Sequence, residues 1–328
     1  AGAINMSTSP RQPGSALKPI IYAAAFSPDA DDPLTAASML LDVRTSFVTS
    51  DGRSYIPANF DNLEHGPVTA RQALASSLNV PAVIVLDQIG IDRFFDLASK
   101  LGISTLTNPG DYDHSLALGG GEVTLLELSS AYAAFANKGI RVVPFSISEI
   151  RTIDGHIIYL KQNQESARIL DERIAWLISD ILSDNDARSI GFGENTVLRI
   201  DRPAAVKTGT TTNFHDNWTI GYTPELVTGV WVGNSSHEPM RGVTGLSGAG
   251  PIWHQFMREA LTGKTKCWFI KPEGITKFEV CSLSGLLPSN ACPYTNLEWF
   301  IQGTEPKFQD HIFHKIWLDS NTGTVASP

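Results

Sequence analysis

Near its start the chain reads Arg11-Gln12-Pro13-Gly14-Ser15-Ala16-Leu17-Lys18-Pro19, and the apolar run Ile20–Ala25 follows directly. A proline–glycine pair favours a loop, whereas the residues from Ser15 onward predict a helix. Pro19 is compatible with that helix because it lies near the helix start, where backbone N–H groups lack intrahelical partners. Residues three apart share one helix face, so we expect the Lys18 amine beside the Ser15 hydroxyl.

Ser15 and Lys18 are a candidate nucleophile and base. A serine hydroxyl is a weak nucleophile unless a neighbour removes its proton, and a lysine can do so only when its amine is neutral. Burial and a second nearby cation both lower the pKa of a lysine toward that state. The positive end of a helix also favours the negative charge that develops during attack. Taken alone, however, the pair is more typical of a serine N-cap followed by a solvated lysine.

A second candidate motif is Ser77-Leu78-Asn79, which follows a predicted helix over residues 69–77. A hydroxyl and an amide two residues apart, where a helix meets a loop, can point into one cleft. Ser77 would then pass a proton to a leaving amine, while Asn79 would hold a substrate carbonyl and orient Lys18. Taken alone, these residues are typical of a helix C-terminus with Asn79 near the cap.

A third candidate motif ends a predicted strand and reads Lys207-Thr208-Gly209-Thr210-Thr211. Glycine in a strand allows a ligand backbone to approach closely, although it is also typical of a bulge. Lys207, Thr208 and Thr210 supply one positive charge and two hydroxyls, which together suit a carboxylate.

The remaining pattern predicts an α+β fold in which helices cover an antiparallel sheet. Residues 26–68 look irregular, and residues 141–160 alternate like a hairpin that turns at Asp154-Gly155. Further helices are predicted over 91–101, 124–138, 171–183 and 251–261, and strands over 204–208, 218–222 and 226–232. Residues 264–328 differ in sequence pattern, with turn residues between short strand-like runs. They predict a small appended β-rich module, which includes a strand around 316–318.

Composition excludes several classes of protein. The chain has 328 residues and a net charge of −9, so it lacks the positive field that general nucleic-acid binding requires. Its three cysteines all lie in the last 62 residues and do not make a disulfide scaffold. No apolar run approaches the roughly 20 residues that cross a bilayer, and the first residues do not resemble a signal peptide.

The three motifs occur in the chain order that marks penicillin-binding proteins and class A β-lactamases. Over roughly residues 1–262 the sequence closely resembles the transpeptidase domain of bifunctional class A penicillin-binding proteins, particularly the 1C subgroup, and the tail resembles that subgroup's appended segment. The stretches that carry the likeness are 11–19, 131–139, 207–211, 216–218, 221–224, 229–234 and 248–253.

The resemblance implies a penicillin-binding/serine β-lactamase-like transpeptidase domain over 1–263, followed by the β-rich module over 264–328. It implies D,D-transpeptidase activity: a peptidoglycan stem peptide ending in D-Ala-D-Ala acylates Ser15, an amine from a neighbouring stem takes over the acyl group, and β-lactams acylate the same serine. The implied catalytic residues are Ser15, Lys18, Ser77, Asn79 and Lys207. The implied substrate-binding residues are Thr208, Gly209, Thr210 and Thr211.

The resemblance also implies a setting for the protein. No metal or organic cofactor is required. The expected partners are the stem peptide, β-lactam antibiotics and cell-wall assembly proteins, without nucleic acid. The expected location is extracytoplasmic or periplasmic. The family's upstream membrane anchor, glycosyltransferase domain and edge strands do not occur in the sequence, which suggests a fragment with an incomplete sheet.

Several alternatives remain open. A D,D-carboxypeptidase, or a non-catalytic β-lactam-sensing or wall-binding domain, would use the same serine pocket. A class A β-lactamase needs a carboxylate that activates water, and none is assigned. Ser183-Asp184-Asn185 spells the β-lactamase form of the second motif but follows a long amphipathic helix, so a helix-end loop is expected there. For the tail cysteines a Cys281–Cys292 disulfide or free thiols are expected ahead of a metal site.

Overall fold

The computed structural model describes residues 4–30, 33–49, 52–162, 166–320 and 322–325. The helices are α1 (Lys18–Ala25), α2 (Ala70–Ala75), α3 (Asn79–Ile89), α4 (Ile91–Leu101), α5 (Leu125–Ala136), α6 (Glu172–Ser183), α7 (Ser189–Phe192) and α8 (Ala249–Ala260). The strands are β1 (Met39–Asp42), β2 (Phe47–Val48), β3 (Ser54–Tyr55), β4 (Gly66–Thr69), β5 (Ile140–Val142), β6 (Glu149–Arg151), β7 (Ile157–Leu160), β8 (Ser166–Arg168), β9 (Ala205–Thr210), β10 (Asp216–Tyr222), β11 (Val227–Gly233), β12 (Ile275–Cys281) and β13 (Thr295–Ile301).

The main sheet has the order β9–β10–β11, and both neighbouring pairs are antiparallel. The backbone N–H of Thr223 donates to the Leu226 carbonyl at 2.9 Å and closes the tight turn between β10 and β11. Every residue of the central strand β10 is buried. The three strands predicted for this sheet are therefore confirmed, with ends that shift by two residues or fewer.

Helices cover both faces of the sheet, which confirms the α+β expectation. On one face α5 packs against β10 and β11, and α6 packs against β9. On the other face α8 packs against β10 and β11, where a Cβ on Gly221 would lie 2.5 Å from the Trp253 ring. Glycine at this position therefore sets how closely α8 approaches the sheet.

Helix α1 lies in the middle of the helical layer, and all of its residues from Lys18 to Ala25 are buried. The small side chains of its last turn allow α3, α4 and α6 to pack around it. Because burying an unpaired charge is costly, the Lys18 amine at the start of this helix must find partners inside the protein.

The region between α1 and α4 differs from the sequence expectation. Residues expected to be irregular contain two short antiparallel pairs, β1 with β4 and β2 with β3. Helix α3 was not predicted, because its apolar residues surround it instead of forming one stripe. The helix predicted over 69–77 ends at Ala75, and Ser77 beyond it adopts a left-handed backbone with φ of 62°.

Other predicted elements are confirmed in outline. Helix α4 has the predicted bounds, and α5, α6 and α8 each lie within two residues of theirs. The expected hairpin is present as β6 and β7, with Gly155 in its turn at φ of 90°.

The C-terminal unit is built on β12 and β13, which pair antiparallel from Ile275 opposite Ile301 to Cys281 opposite Thr295. A disulfide joins Cys281 to Cys292. No cluster of His, Cys, Asp and Glu suited to a metal ion occurs in the part of the chain that the structure describes. The strand predicted around 316–318 is wrong, because within the described residues Leu318 makes only an isolated bridge to Val325.

This unit packs against the helical layer through α6. The rings of Trp176 and Trp299 meet edge to face with centroids 5.5 Å apart, and Trp176 Nε1 donates to the Phe269 carbonyl at 3.1 Å. Arg71 in α2 donates to both carboxylate oxygens of Glu298 in β13, at 2.7 and 2.6 Å. Among the described residues no helix is long and apolar enough to cross a membrane.

Candidate active site

The segment that carries Ser15 is a short 3₁₀ turn over Gly14–Leu17, which leads directly into α1. Two buried rings fix its backbone: Trp218 Nε1 donates to the Gln12 carbonyl at 2.8 Å, and the Tyr132 hydroxyl donates to the Ala16 carbonyl at 2.7 Å. Ser15 lies half-buried at the floor of a cleft of about 450 Å³. The turn therefore holds the candidate nucleophile rigidly at the cleft surface.

Lys18 is fully buried behind Ser15, and its amine contacts the Ser77–Asn79 motif. The Nζ donates to the Ser77 carbonyl at 2.8 Å, the Leu78 carbonyl at 2.9 Å and Asn79 Oδ1 at 2.7 Å. These acceptors account for all three protons of an ammonium group. Among the described residues the hydrogen-bond partners of Lys18 Nζ are these three acceptors, so the expected direct contact with Ser15 Oγ is not made.

Electrostatics favour the neutral form of Lys18. Burial lowers the pKa of its amine well below 10.5, the charge of Lys207 lowers it further, and Asp42 acts in the opposite direction. A neutral amine has one proton fewer and a free lone pair, which is what a base toward Ser15 requires.

Ser77 accepts hydrogen bonds from both buried lysines. Its hydroxyl accepts a hydrogen bond from Lys207 Nζ at 2.6 Å, while its carbonyl accepts one from Lys18. The left-handed backbone at Ser77 is a conformation that residues other than glycine rarely adopt. Such strained positions cluster at functional sites, where the surrounding structure holds them in place.

Lys207 differs from the expected carboxylate-binding group. Its side chain is buried, its Nζ also donates to the Thr208 carbonyl at 2.9 Å, and it does not line the cleft. Burial, together with the charge of Arg188, lowers the pKa of Lys207 to about 7. Lys207 is therefore placed to exchange a proton with Ser77 instead of touching a ligand.

Asn79 is the first residue of α3, not a C-terminal cap. Its Oδ1 accepts from Lys18, its Nδ2 donates to the Ala58 carbonyl at 2.7 Å, and its backbone N–H donates to Asn59 Oδ1 at 2.7 Å. The hydrogen bond from Lys18 Nζ to Asn79 Oδ1 thus fixes the direction of the Lys18 amine. A substrate carbonyl would have to use the second proton of Nδ2.

The residues of the Lys-Thr-Gly-Thr-Thr strand divide between the cleft and the interior. Thr208 and Thr210 line the cleft, and the Thr210 hydroxyl accepts from the Gly245 backbone N–H at 2.9 Å. Thr211 also lines the cleft, and its hydroxyl accepts from the Asp216 backbone N–H at 2.8 Å, so it shapes the end of β9.

Gly209 has a different role from the one expected. A Cβ at this position would lie 2.0 Å from the Pro13 carbonyl oxygen and 3.2 Å from Ala16 Cβ. The glycine therefore lets β9 press against the turn that carries Ser15, and not against a ligand. Gly14, at φ of 56°, closes the same contact from the other side, since its Cβ would lie 2.6 Å from the Thr210 carbonyl oxygen.

Sequence reasoning missed a buried polar chain behind Asn79. Asn59 Nδ2 donates to both oxygens of Asp42, at 2.9 and 2.7 Å, and to the Leu63 carbonyl at 2.8 Å. Asp42 is fully buried and also lies 2.6 Å from His65 Nδ1. These residues come from a segment without clear periodicity, so no local sequence signal pointed to them.

Arg188 was also missed. It is buried, its Nη2 donates to the Leu182 carbonyl, and within the described structure its Nη1 has no hydrogen-bond partner. Burial lowers the pKa of this guanidinium to about 10. Ser183, by contrast, lies at the end of α6, where its hydroxyl donates to the Asp180 carbonyl at 3.1 Å, and it is not part of the cleft.

The fold and the cleft define a class of protein in which one serine, Ser15, lines the active-site cleft. A second serine, Ser77, is hydrogen-bonded to two buried lysines. Residues 2–258 match the family described as penicillin binding protein transpeptidase domain. The chain belongs to that family. Residues 271–315 match a second family, the C-terminal domain of penicillin-binding protein 1A.

Individual proteins agree with this assignment. The chain is 35% identical over 306 residues to penicillin-binding protein 1A of Aquifex aeolicus, covering 90% of this chain and 39% of the relative. It is 31% identical over 303 residues to penicillin-binding protein 2D of Bacillus subtilis, covering 90% of this chain and 42% of the relative. The chain thus spans less than half the length of these curated relatives.

A solved structure shows the same architecture. The crystal structure of penicillin-binding protein 1A from Haemophilus influenzae superposes with a TM-score of 0.82 at 28% identity, covering 94% of this chain and 50% of that one. This structure, the Aquifex relative and the tail family all carry the name 1A.

Proposed function

We propose that this chain is a D,D-transpeptidase that cross-links peptidoglycan stem peptides through an acyl-serine intermediate at Ser15. The observation that carries the proposal is the convergence of two buried lysine amines on Ser77, beside the cleft that exposes Ser15. Burial and the charge of Lys207 lower the pKa of Lys18, which keeps Lys18 available as a base. This arrangement suits acyl transfer at an otherwise unreactive hydroxyl.

In the first step neutral Lys18 takes the proton of Ser15, whose oxygen forms a bond to the penultimate carbonyl carbon of a stem peptide ending in D-Ala-D-Ala. Backbone N–H groups of Ser15 and Thr210 would bind the resulting oxyanion; losing one such donor typically costs about 3–4 kcal/mol of barrier. The amide C–N bond then breaks. Ser77 gives its proton to the departing D-Ala amine and is reprotonated by Lys207.

In the second step an amine from a neighbouring stem attacks the ester carbon. A new C–N bond forms and the bond to Ser15 Oγ breaks. The amine gives one proton to Ser77, whose own proton returns to Lys207, and Lys18 returns its proton to Ser15 Oγ, so that both lysines regain their starting states.

In the first step the Thr208 and Thr210 hydroxyls, which line the cleft, would hold the terminal carboxylate of the donor, while Gly209 and Thr211 would support the strand. No step requires a metal or organic cofactor.

The same site would be acylated by β-lactams, whose carbonyl would take the place of the peptide carbonyl. We further infer an extracytoplasmic protein that works with other cell-wall proteins, without nucleic acid, and whose full-length form is membrane-anchored. We also infer a functional division into a transpeptidase domain over 1–263 and an appended module over 264–328. The family membership and the acidic net charge support these assignments.

The test supplies a pentapeptide ending in D-Ala-D-Ala, with and without a second peptide that offers a free amine. The proposal expects D-Ala release and a cross-linked dimer detected by mass spectrometry, both lost in Ser15→Ala. Release of D-Ala without any dimer would identify a carboxypeptidase. A stable penicillin adduct without either product would identify a sensing domain. The control Ser183→Ala should behave like the parent.

A further inference from the structure

The cleft has a distinctive charge distribution. Its described lining consists of hydroxyl, amide and apolar side chains with one exception, the carboxylate of Asp61. Lys18 and Lys207 are both buried behind the surface and do not line the cleft. Asp61 is thus the single lining side chain that carries a formal charge, and the charge is negative.

The position of Asp61 matters because of where the acyl acceptor must enter. By microscopic reversibility the incoming amine occupies the place that the departing D-Ala amine leaves, next to the Ser77 hydroxyl. The wall on that side is the loop 58–62, which Asn79 holds through its contacts with Ala58 and Asn59. Thr208 and Thr210, which would hold the donor, lie on the strand β9.

The Asp61 carboxylate is held in place but remains accessible. Its Oδ1 accepts from the Leu63 backbone N–H at 3.0 Å, and its Oδ2 lies 3.2 Å from His65 Nε2. The other ring nitrogen of His65 contacts the fully buried Asp42 at 2.6 Å. The Asp61 side chain is nevertheless 39% exposed, so it can meet a ligand without being fully desolvated.

We propose that Asp61 is the recognition residue of an acceptor subsite, which binds the ammonium group of the incoming stem peptide and directs it toward the acyl-Ser15 ester. This inference rests on the proposed transpeptidase function. An aliphatic ammonium is charged at pH 7, and a carboxylate is its natural partner. Before attack the ammonium must release one proton to solvent or to a cleft base, and the neutral nitrogen then forms the amide bond.

A competing role would be activation of water, as a carboxylate does in hydrolytic relatives of this chemistry. Both roles use the same side chain, but they differ in which nucleophile depends on it. If Asp61 binds the ammonium, loss of its charge slows attack by charged acceptors only. If Asp61 is a general base for water, the loss slows hydrolysis of the acyl-enzyme. If Asp61 only holds the turn, the loss slows attack by every nucleophile equally.

The experiment compares the parent with Asp61→Asn, using Glu64→Gln as a charge-matched control from the same loop region that does not line the cleft. The donor is an N-acyl-D-alanyl thioester, whose thiol release reports acylation. The acyl-enzyme is then partitioned among water, hydroxylamine, which is largely uncharged at pH 7, and a peptide with a free aliphatic ammonium. Products are quantified by mass spectrometry.

For Asp61→Asn we expect acylation, hydrolysis and hydroxylaminolysis within about twofold of the parent, and aminolysis by the cationic peptide reduced about tenfold or more. Unchanged use of the cationic peptide would overturn the inference. An equal fall with hydroxylamine, or a selective fall in hydrolysis, would overturn it as well. Absence of any aminolysis by the parent would instead refute the proposed function and this inference with it, whereas acylation by penicillin would report correct folding throughout.

Discussion

Lys207 Nζ lies 2.6 Å from Ser77 Oγ and does not reach the cleft. We therefore propose that Lys207, on the Lys-Thr-Gly strand, acts through Ser77 and not directly on the substrate. Lys18 reaches the same residue through its carbonyl, so Ser77 connects the two buried amines. A change in either lysine is expected to affect the protonation of the other, because each charge is felt in a poorly solvated interior.

Stability should depend on pH through Lys207. Its pKa is about 7 in the folded protein and near 10.5 when unfolded, so between these values the unfolded chain binds more protons. Stability should therefore rise with pH across this window, and below about pH 7 this group adds no slope. In urea titrations at pH 7, 8 and 9, Lys207→Met should reduce the slope by up to about 1.4 kcal/mol per pH unit. Equal slopes in parent and variant would contradict the assignment.

Gly209→Ala should disturb the Ser15 turn. The added Cβ would lie 2.0 Å from the Pro13 carbonyl oxygen, so β9 and the turn must separate. We expect a loss of about 2–4 kcal/mol in unfolding free energy and at least a tenfold slower acylation by penicillin. Gly110→Ala, whose nearest neighbour would be 3.5 Å away, is the control. Similar behaviour of the two variants would refute this role of Gly209.

Asn59→Ala should weaken the support of Asn79. The change removes both hydrogen bonds to buried Asp42 and the acceptor for the Asn79 backbone N–H. Because buried polar groups are left unpaired, the free energy of unfolding should fall by about 1–3 kcal/mol. Penicillin acylation should also slow, because Asn79 contacts and orients Lys18. Stopped-flow labelling measures the rate. The exposed Asn195→Ala should match the parent, and an equal rate for Asn59→Ala would count against the network.

Glu298→Gln should loosen the C-terminal unit without stopping acylation. It removes the charged partner from two hydrogen bonds of Arg71, which keeps Asp180 and Asp184 as partners. We expect the free energy of unfolding, measured in urea, to fall by about 1–3 kcal/mol, because the Arg71–Glu298 ion pair is largely buried. The exposed Glu273→Gln serves as the comparison. A normal stability for Glu298→Gln would mean that Arg71 does not hold the unit.

Much of the architecture was predictable because its signals are local. The strands of the main sheet, α4 and the hairpin turn at Gly155 follow from periodicity and turn residues within a few positions. The three motifs were also recognisable, since their order and residue types carry the chemistry.

Long-range contacts were not predictable. Gly209 was expected to admit a ligand, but its neighbour is Pro13, almost two hundred positions earlier in the chain. Asp42 and Asn59 lie in a segment with no clear pattern, and their importance comes from the distant Asn79. Arg188 affects Lys207 only because folding buries both. A single sequence contains these residues but not their distances.

We expect Ser15 to be the acylated nucleophile and Lys18 to be the base that activates it. The most direct measurement is intact-mass and peptide-mapping mass spectrometry after incubation with penicillin. We expect one adduct per chain, on the peptide containing Ser15, no adduct in Ser15→Ala, and acylation slowed at least a hundredfold in Lys18→Ala, with Ser183→Ala equal to the parent. An adduct of equal yield in Ser15→Ala, or on another residue of the parent, would contradict the account.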